Sequence, residues 1–267
     1  MIIRIRPRPD DSHNDSDSIV QKKLLIGKVF DKEVKRDISM WTISGHKPQA
    51  FFYRSKLAVD ADGSPFAYHP QNKGLDDLRN AGQPGNWWGI VTNNLKPSGK
   101  PVIQKEGDPA PGYYVSSTAL YDRSKSPKDQ NAYVNSGMIP YIVLPFEKSF
   151  GAVLGDMAIA YNVINDQWSF AVYADNYELK FGNLGIGEGS IALAKRLGIN
   201  PDPRKGGTGG KANVIYVVFP KSGKGNGIIP SVGDIEETGQ KLLDRWGGIS
   251  ILQAVKQSLA EPVRMEP

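Results

Sequence analysis

From residue 23 onward the apolar residues come in short runs divided by Gly, Pro, Asn and Asp. This is the rhythm of strands and turns rather than of long helices. Runs at 24–30, 51–53 and 57–60 read as strands, with a turn at Gly63-Ser64-Pro65. The stretch 74–82 reads as a helical turn stopped by Gly82. Residues 87–91, 101–104 and 112–120 are rich in aromatic and β-branched side chains and predict three further short strands.

The second half is more regular. Residues 139–145 form an apolar run with Pro140 and Pro145 at its ends. Residues 155–163 and 168–174, joined by Asn165-Asp166-Gln167, predict a hairpin. Ile191, Ala194 and Leu197 recur at helical spacing before Gly198, which predicts a short helix over 190–197. The run Asn213-Val214-Ile215-Tyr216-Val217-Val218-Phe219-Pro220 predicts a buried strand, and 234–259 reads as helix interrupted near Trp246-Gly247-Gly248. The Gly-rich 204–210 lacks the Lys-Ser/Thr ending of a phosphate loop and reads as a connection. No repeat of 20–50 residues is present. Three regions follow: a polar, flexible arm over 1–22, a β-rich α+β domain over 23–225, and a helical extension over 226–267.

Composition narrows the function classes. With 267 residues, 39% of them hydrophobic, the chain can bury a sizeable core, and 29 Gly with 19 Pro favour a turn-rich fold. The net charge of +5 raises a nucleic-acid partner, but the densest basic piece, 21–36, also carries Asp31 and Glu33 and reads as a solvated edge. Without Cys there is neither disulfide nor thiolate metal site. His13, His46 and His69 are too scattered to form a metal-ligand pair. No apolar run approaches a membrane span, and residues 1–9 lack the apolar centre of a signal peptide, so the chain as it stands reads as cytoplasmic.

The candidate chemistry lies between 172 and 194. Asp175 closes an apolar strand, and Glu188 sits among glycines just before a helix. Two carboxylates so presented suit the acid and base of a glycoside hydrolase. The alternative is that Asp175 caps a turn and Glu188 caps the helix beginning at Ser190. A hairpin, a strand-closing Asp, a loop and a small-residue helix also resemble the core of a double-psi β-barrel. Asp60-Ala61-Asp62-Gly63 opens like a calcium-binding EF-hand loop, but position twelve is Gln71 and the match fails.

Several blocks, in order, resemble glycoside hydrolase family 75, the chitosanases first known from fungi. They are Asp60-Ala61-Asp62-Gly63 with Tyr68-His69-Pro70, Leu75-Asp76-Asp77-Leu78, Gly85-Asn86-Trp87-Trp88-Gly89, Asp108-Pro109-Ala110-Pro111-Gly112-Tyr113-Tyr114, 139–145, 151–156, Ala174-Asp175, Gly187-Glu188-Gly189-Ser190 and Val217-Val218-Phe219-Pro220. The resemblance spans roughly residues 50–222.

It implies cleavage of the β-1,4 bonds of chitosan with inversion, by a monomer needing neither metal nor organic cofactor. The family's catalytic pair falls on Asp175 and Glu188; burial at a strand end favours Asp175 as acid, and a place among flexible glycines favours Glu188 as base. Asp60 and Asp62 would shape a turn or meet substrate ammonium groups. Tyr68, Trp87, Trp88, Tyr113 and Tyr114 would stack on sugar faces, with at least one of the two tryptophans in the core. Three features depart from the family pattern. The loop 176–187 is longer and holds Glu178 as a second carboxylate candidate, the secretory signal expected of a family acting mostly outside the cell is missing, and residues beyond 225 are extra. The rival readings are another amino-sugar glycan such as peptidoglycan, or a carbohydrate-binding protein without turnover.

Overall fold

The computed structural model describes Ser18 and residues 20–177 and 185–260. The protein is β-rich, with one large mixed sheet and few helices. The strands are β1 (Lys23–Asp31), β2 (Arg36–Ile43), β3 (Phe51–Ser55), β4 (Ala58–Asp60), β5 (Gly82–Gln83), β6 (Asn86–Trp87), β7 (Tyr141–Pro145), β8 (Met157–Asn162), β9 (Trp168–Tyr177), β10 (Glu188–Ser190) and β11 (Val214–Phe219). The helices are α1 (Ile191–Arg196), α2 (Val232–Trp246) and α3 (Gly248–Ser258). Nine strands form one sheet in the order β1-β2-β3-β11-β8-β9-β7-β10-β4, and β5 pairs with β6 separately.

Alternation along the strands feeds two cores. On β11, Val214, Tyr216 and Val218 join one cluster, while Ile215, Val217 and Phe219 join the other. A strand covered on both faces reads as a continuous apolar run, which is why 213–220 stands out in the sequence. Ala158, Ala160 and Ala171 keep the first cluster narrow at the centre of the sheet. The second cluster is covered by α2 and α3. Gly239 makes that docking possible, since a Cβ there would come within 2.4 Å of the Phe170 ring. Trp246 is fully buried against Phe52 and Phe219. The helices α2 and α3 of the expected extension are therefore part of the main core rather than an appendage.

The sheet is rolled. β3 and β4 are six pairings apart, which in a flat sheet means roughly 29 Å at about 4.8 Å per strand. Only Lys56 and Leu57 separate them in the chain, a span of at most about 11 Å. Across the roll Ser55 Oγ donates to Ile186 O (2.6 Å), just ahead of β10, while Ala58 N donates to Gly187 O (2.9 Å) where β4 joins β10. No hydrogen-bonded strand pair joins β3 to β4 among the described residues, so a closed barrel is not formed.

Several expectations need correction. The three strands expected over 87–120 appear as β6 and isolated bridges, Ile90 to Ser116, Thr92 to Pro101 and Ile103 to Tyr114. Side-chain groups take up the backbone partners there, as where Gln104 Nε2 donates to Pro65 O and Ser116 N donates to Gln130 Oε1. The helical turn expected over 74–82 shrinks to a 3-10 turn at Leu78–Ala81. β2 was not anticipated, although Ile38 and Met40 alternate in its sequence and are buried. The flexible arm assigned to 1–22 ends earlier, because Val20 is buried in the second cluster. Residues 1–17 lie outside the described residues. No helix among those described is long and apolar enough to cross a membrane.

Candidate active site

Asp175 owes its position to an irregularity. On β9, Tyr173 pairs with Ile142 and Asp175 with Val143, so Ala174 is an extra residue and the strand bulges. Bulges re-aim side chains. Asp175 Oδ1 accepts from Ala119 N (2.9 Å) and Asn176 N (2.8 Å), and the residue is 8% exposed. The turn-capping alternative thus describes part of its bonding.

Glu188 opens β10, pairing with Val143 on one side and Ala58 on the other. Asp175, Val143 and Glu188 therefore lie in register across three neighbouring strands. Two strand spacings put the Asp175 and Glu188 backbones about 10 Å apart. Glu188 does not cap the following helix. Ser190 does, its Oγ accepting from Leu193 N and from Tyr141 N, both at 3.0 Å. Gly187 permits the approach of this segment, since its φ of 105° suits glycine and a Cβ would fall 2.3 Å from Lys56 O.

β4 runs parallel to β10 and carries Asp60 opposite Ser190. Asp60 Oδ1 accepts from Asp62 N (2.8 Å), folding a tight turn that brings Asp62 back. The Tyr68 hydroxyl donates to Asp62 Oδ1 (2.6 Å), and Tyr141 donates to Asp62 O (3.0 Å). Gly89 packs so close that a Cβ would sit 3.1 Å from both Asp62 oxygens. Asp60, Asp62 and Asp175 bring one carboxylate oxygen each within 4.8 Å of one another. Such a group could share protons or bridge a hard cation, which needs six to eight oxygens. Among the described residues, the donors that meet these carboxylates include the Tyr68 hydroxyl and the Asp62, Ala119 and Asn176 amides.

Burial and mutual repulsion dominate the electrostatics. Burial pushes the Asp60 carboxyl up to about 6. Burial and then the Asp60 charge push Asp175 and Asp62 well above the carboxylate range. Glu188 is pushed the same way by burial and by Asp60 and Asp175, with the Lys56 cation opposing. Burial also raises the Tyr68 phenol, which keeps it a donor.

The expected sugar-stacking residues divide. Trp87 is 7% exposed and packs on Tyr114, and Tyr68 is buried, so both are framework. Trp88 is 56% exposed, with its indole N–H donating to Asn80 O (2.7 Å) and leaving a ring face open. Tyr113 is half-buried against Phe66 and His69. Beside this group lies a cleft of about 670 Å³, lined by Phe66, Leu75, Asn135, Met138, Lys195 and Arg204 among others. Its walls spring directly from the turn after Asp62 and from the helix after Glu188.

Some participants carried no sequence signal. Asp76 is buried, with both oxygens accepting from Asn80 Nδ2. Tyr141 reads as an ordinary strand residue. The cation nearest to Glu188 in effect, Lys56, is buried between Asp31 (3.3 Å) and Glu33. Glu178, the second carboxylate candidate, lies outside the described residues. No family model matches the chain, and no curated protein matches it.

Proposed function

We propose that the protein is an endo-acting glycoside hydrolase that cleaves β-1,4 bonds of chitosan with inversion, as its resemblance to glycoside hydrolase family 75 implies. The observation that carries this reading is the pair of strand-borne carboxyls, Asp175 and Glu188, held in register on either side of Val143. Their backbone separation of about 10 Å lets the carboxyls reach the ~6.5–9.5 Å spacing that leaves room for a water. The rolled sheet, the strand-closing Asp175 and the small-residue helix after Glu188 support the double-psi likeness as a variant without a hydrogen-bonded ring.

Asp175 acts as the acid. Three crowded carboxyls cannot all ionise, so the Asp60, Asp62 and Asp175 group retains a proton near neutrality. Glu188, which alone of the pair is offset by a cation, Lys56, acts as the base. A water oxygen bonds to the anomeric carbon as the glycosidic bond breaks. The leaving oxygen takes the proton of Asp175, and Glu188 takes one from the water. Trp88 and Tyr113 offer ring faces to the sugars, and the polymer continues into the cleft beside Phe66 and Leu75. The polymer would be met outside the cell.

A reducing-end assay on soluble chitosan tests the reading with wild type, Asp175→Asn and Glu188→Gln. Removing either an acid or a base is expected to cost about 10²–10⁴-fold in kcat. Survival of activity in Glu188→Gln would move the base to another carboxylate. An inactive wild type that is folded, tested also on peptidoglycan, would leave glycan binding without turnover.

A further inference from the structure

Buried polar groups without hydrogen-bond partners are rare, and each asks for an explanation. Among the described residues four buried side-chain atoms lack one: Asp31 Oδ2, the Tyr53 and Tyr177 hydroxyls, and Trp168 Nε1. The first three belong to one neighbourhood, behind Glu188.

Tyr53 and Tyr216 are cross-strand partners on β3 and β11, with rings stacked at 4.8 Å and 12°. Their hydroxyls therefore reach a similar level. The Tyr216 hydroxyl donates to Lys56 O (2.9 Å), whereas the Tyr53 hydroxyl, on a fully buried residue, has no such acceptor. Lys56 Nζ lies 3.3 Å from Asp31 Oδ2 and also meets Glu33. Asp31 reaches this place from the tip of the β1–β2 hairpin. There its Oδ1 accepts from Glu33 N (2.9 Å), and the backbone of Gly185 lies against its side chain. Gly187 rests on Lys56 O and Ser55. The segment leading into Glu188 is thus laid directly over Lys56 and Asp31. Tyr177 ends β9, and its phenol is pushed up by burial first and then by the charges of Glu188, Tyr53 and Asp31.

We propose that Tyr53, Tyr177 and Asp31 enclose a bound-water site behind Glu188, through which the proton collected by Glu188 leaves toward Glu33 at the surface. The relay half of this proposal rests on the reading of Glu188 as base. The water half does not. Two tyrosine hydroxyls without partners, beside an Asp31 Oδ2 that has the Lys56 ammonium at 3.3 Å, are what a buried water needs, since such waters make two to four hydrogen bonds. The relay balances: Glu188 passes its proton to the water, the water passes one through a tyrosine hydroxyl to Asp31, and the Lys56 ammonium, which touches both carboxylates, gives one to Glu33 as it takes the one from Asp31, so that Glu33, partly exposed, exchanges with solvent. No other atom is consumed.

Two measurements test it on the full chain. A crystal structure at a resolution that shows ordered water is expected to place one within hydrogen-bond distance of the Tyr53 and Tyr177 hydroxyls. A dry, closed site would overturn the proposal whatever the enzyme does. Tyr53→Phe and Tyr177→Phe are expected to lower kcat several-fold with KM unchanged, and to leave Tm unchanged or lower. If both hydroxyls are merely unsatisfied, the Phe variants would instead melt about 2–4 °C higher with kcat intact, and the proposal falls. An ordered water in a wild type inactive on every glycan would keep the water site and overturn the relay, together with the proposed function.

Discussion

Asp60 joins stability to the site. Its carboxyl titrates near 3.9 in an unfolded chain and is pushed up to about 6 in the fold. The native state therefore holds the proton more tightly. The resulting stabilisation is complete below about pH 4 and is lost as pH rises through about 6. A shift of that size is worth roughly 3 kcal/mol, and Asp62, Asp175 and Glu188 are displaced in the same direction. Asp60→Asn keeps an acceptor for Asp62 N and removes the charge. Urea unfolding is expected to show it about 1–3 kcal/mol more stable than wild type at about pH 7.5 and little changed at about pH 4. Equal or lower stability at the higher pH would mean that the fold favours the Asp60 anion. At this scale Asp175, Glu188, Asp60 and Asp62 could be picked from the sequence because each sits beside a turn or glycine signal. Lys56, Tyr53, Tyr141 and Asp76 could not, because their roles come from strand pairings and packing that no local pattern reveals.

Among the elements, those with strong local periodicity were legible: the β8–β9 hairpin, β11, the short helix after Ser190 and the two C-terminal helices. β2 was masked by its charged and polar positions. The stretch from 87 to 120 has strand-like composition but spends its backbone bonds on bridges and side chains such as Gln104 and Gln130. β10 has no strand signal at all, since Glu188-Gly189-Ser190 is ordered by β4 and β7 on either side. The glycine ahead of it is therefore critical. Gly187→Ala must relieve both a Cβ contact of 2.3 Å with Lys56 O and a positive φ. It is expected to cost about 2–4 kcal/mol in denaturant unfolding and to reduce activity by displacing Glu188. A variant with wild-type stability and activity would show that the segment shifts freely.

For the molecule as a whole, net charge and local field point in opposite directions. The chain carries +5 overall, yet its site gathers Asp60, Asp62, Asp76, Asp175 and Glu188. A polycation would be guided by that local field rather than by the total. Above about pH 6, where Asp60 ionises, chitosan binding is expected to weaken as salt rises from about 50 mM to about 500 mM, and Asp60→Asn to bind more weakly and with less salt dependence. Salt-independent binding, or equal affinity in the variant, would remove the acidic field as the cause. The rolled sheet itself was only half legible. Sequence predicts many strands, but the roll follows from a three-residue β4 pairing with β10, some 130 positions later. That feature makes the site a seam. Among the described residues β4 is an end strand paired with β10 alone, whereas β8 and β11 are each paired on both sides. Opening the seam would uncover Asp60 and Glu188 together without unfolding the centre. Amide exchange at Ala58–Asp60 should therefore run far ahead of exchange in β8 and β11, and a bound polymer, lying across both lips, should act as the stitch that slows it.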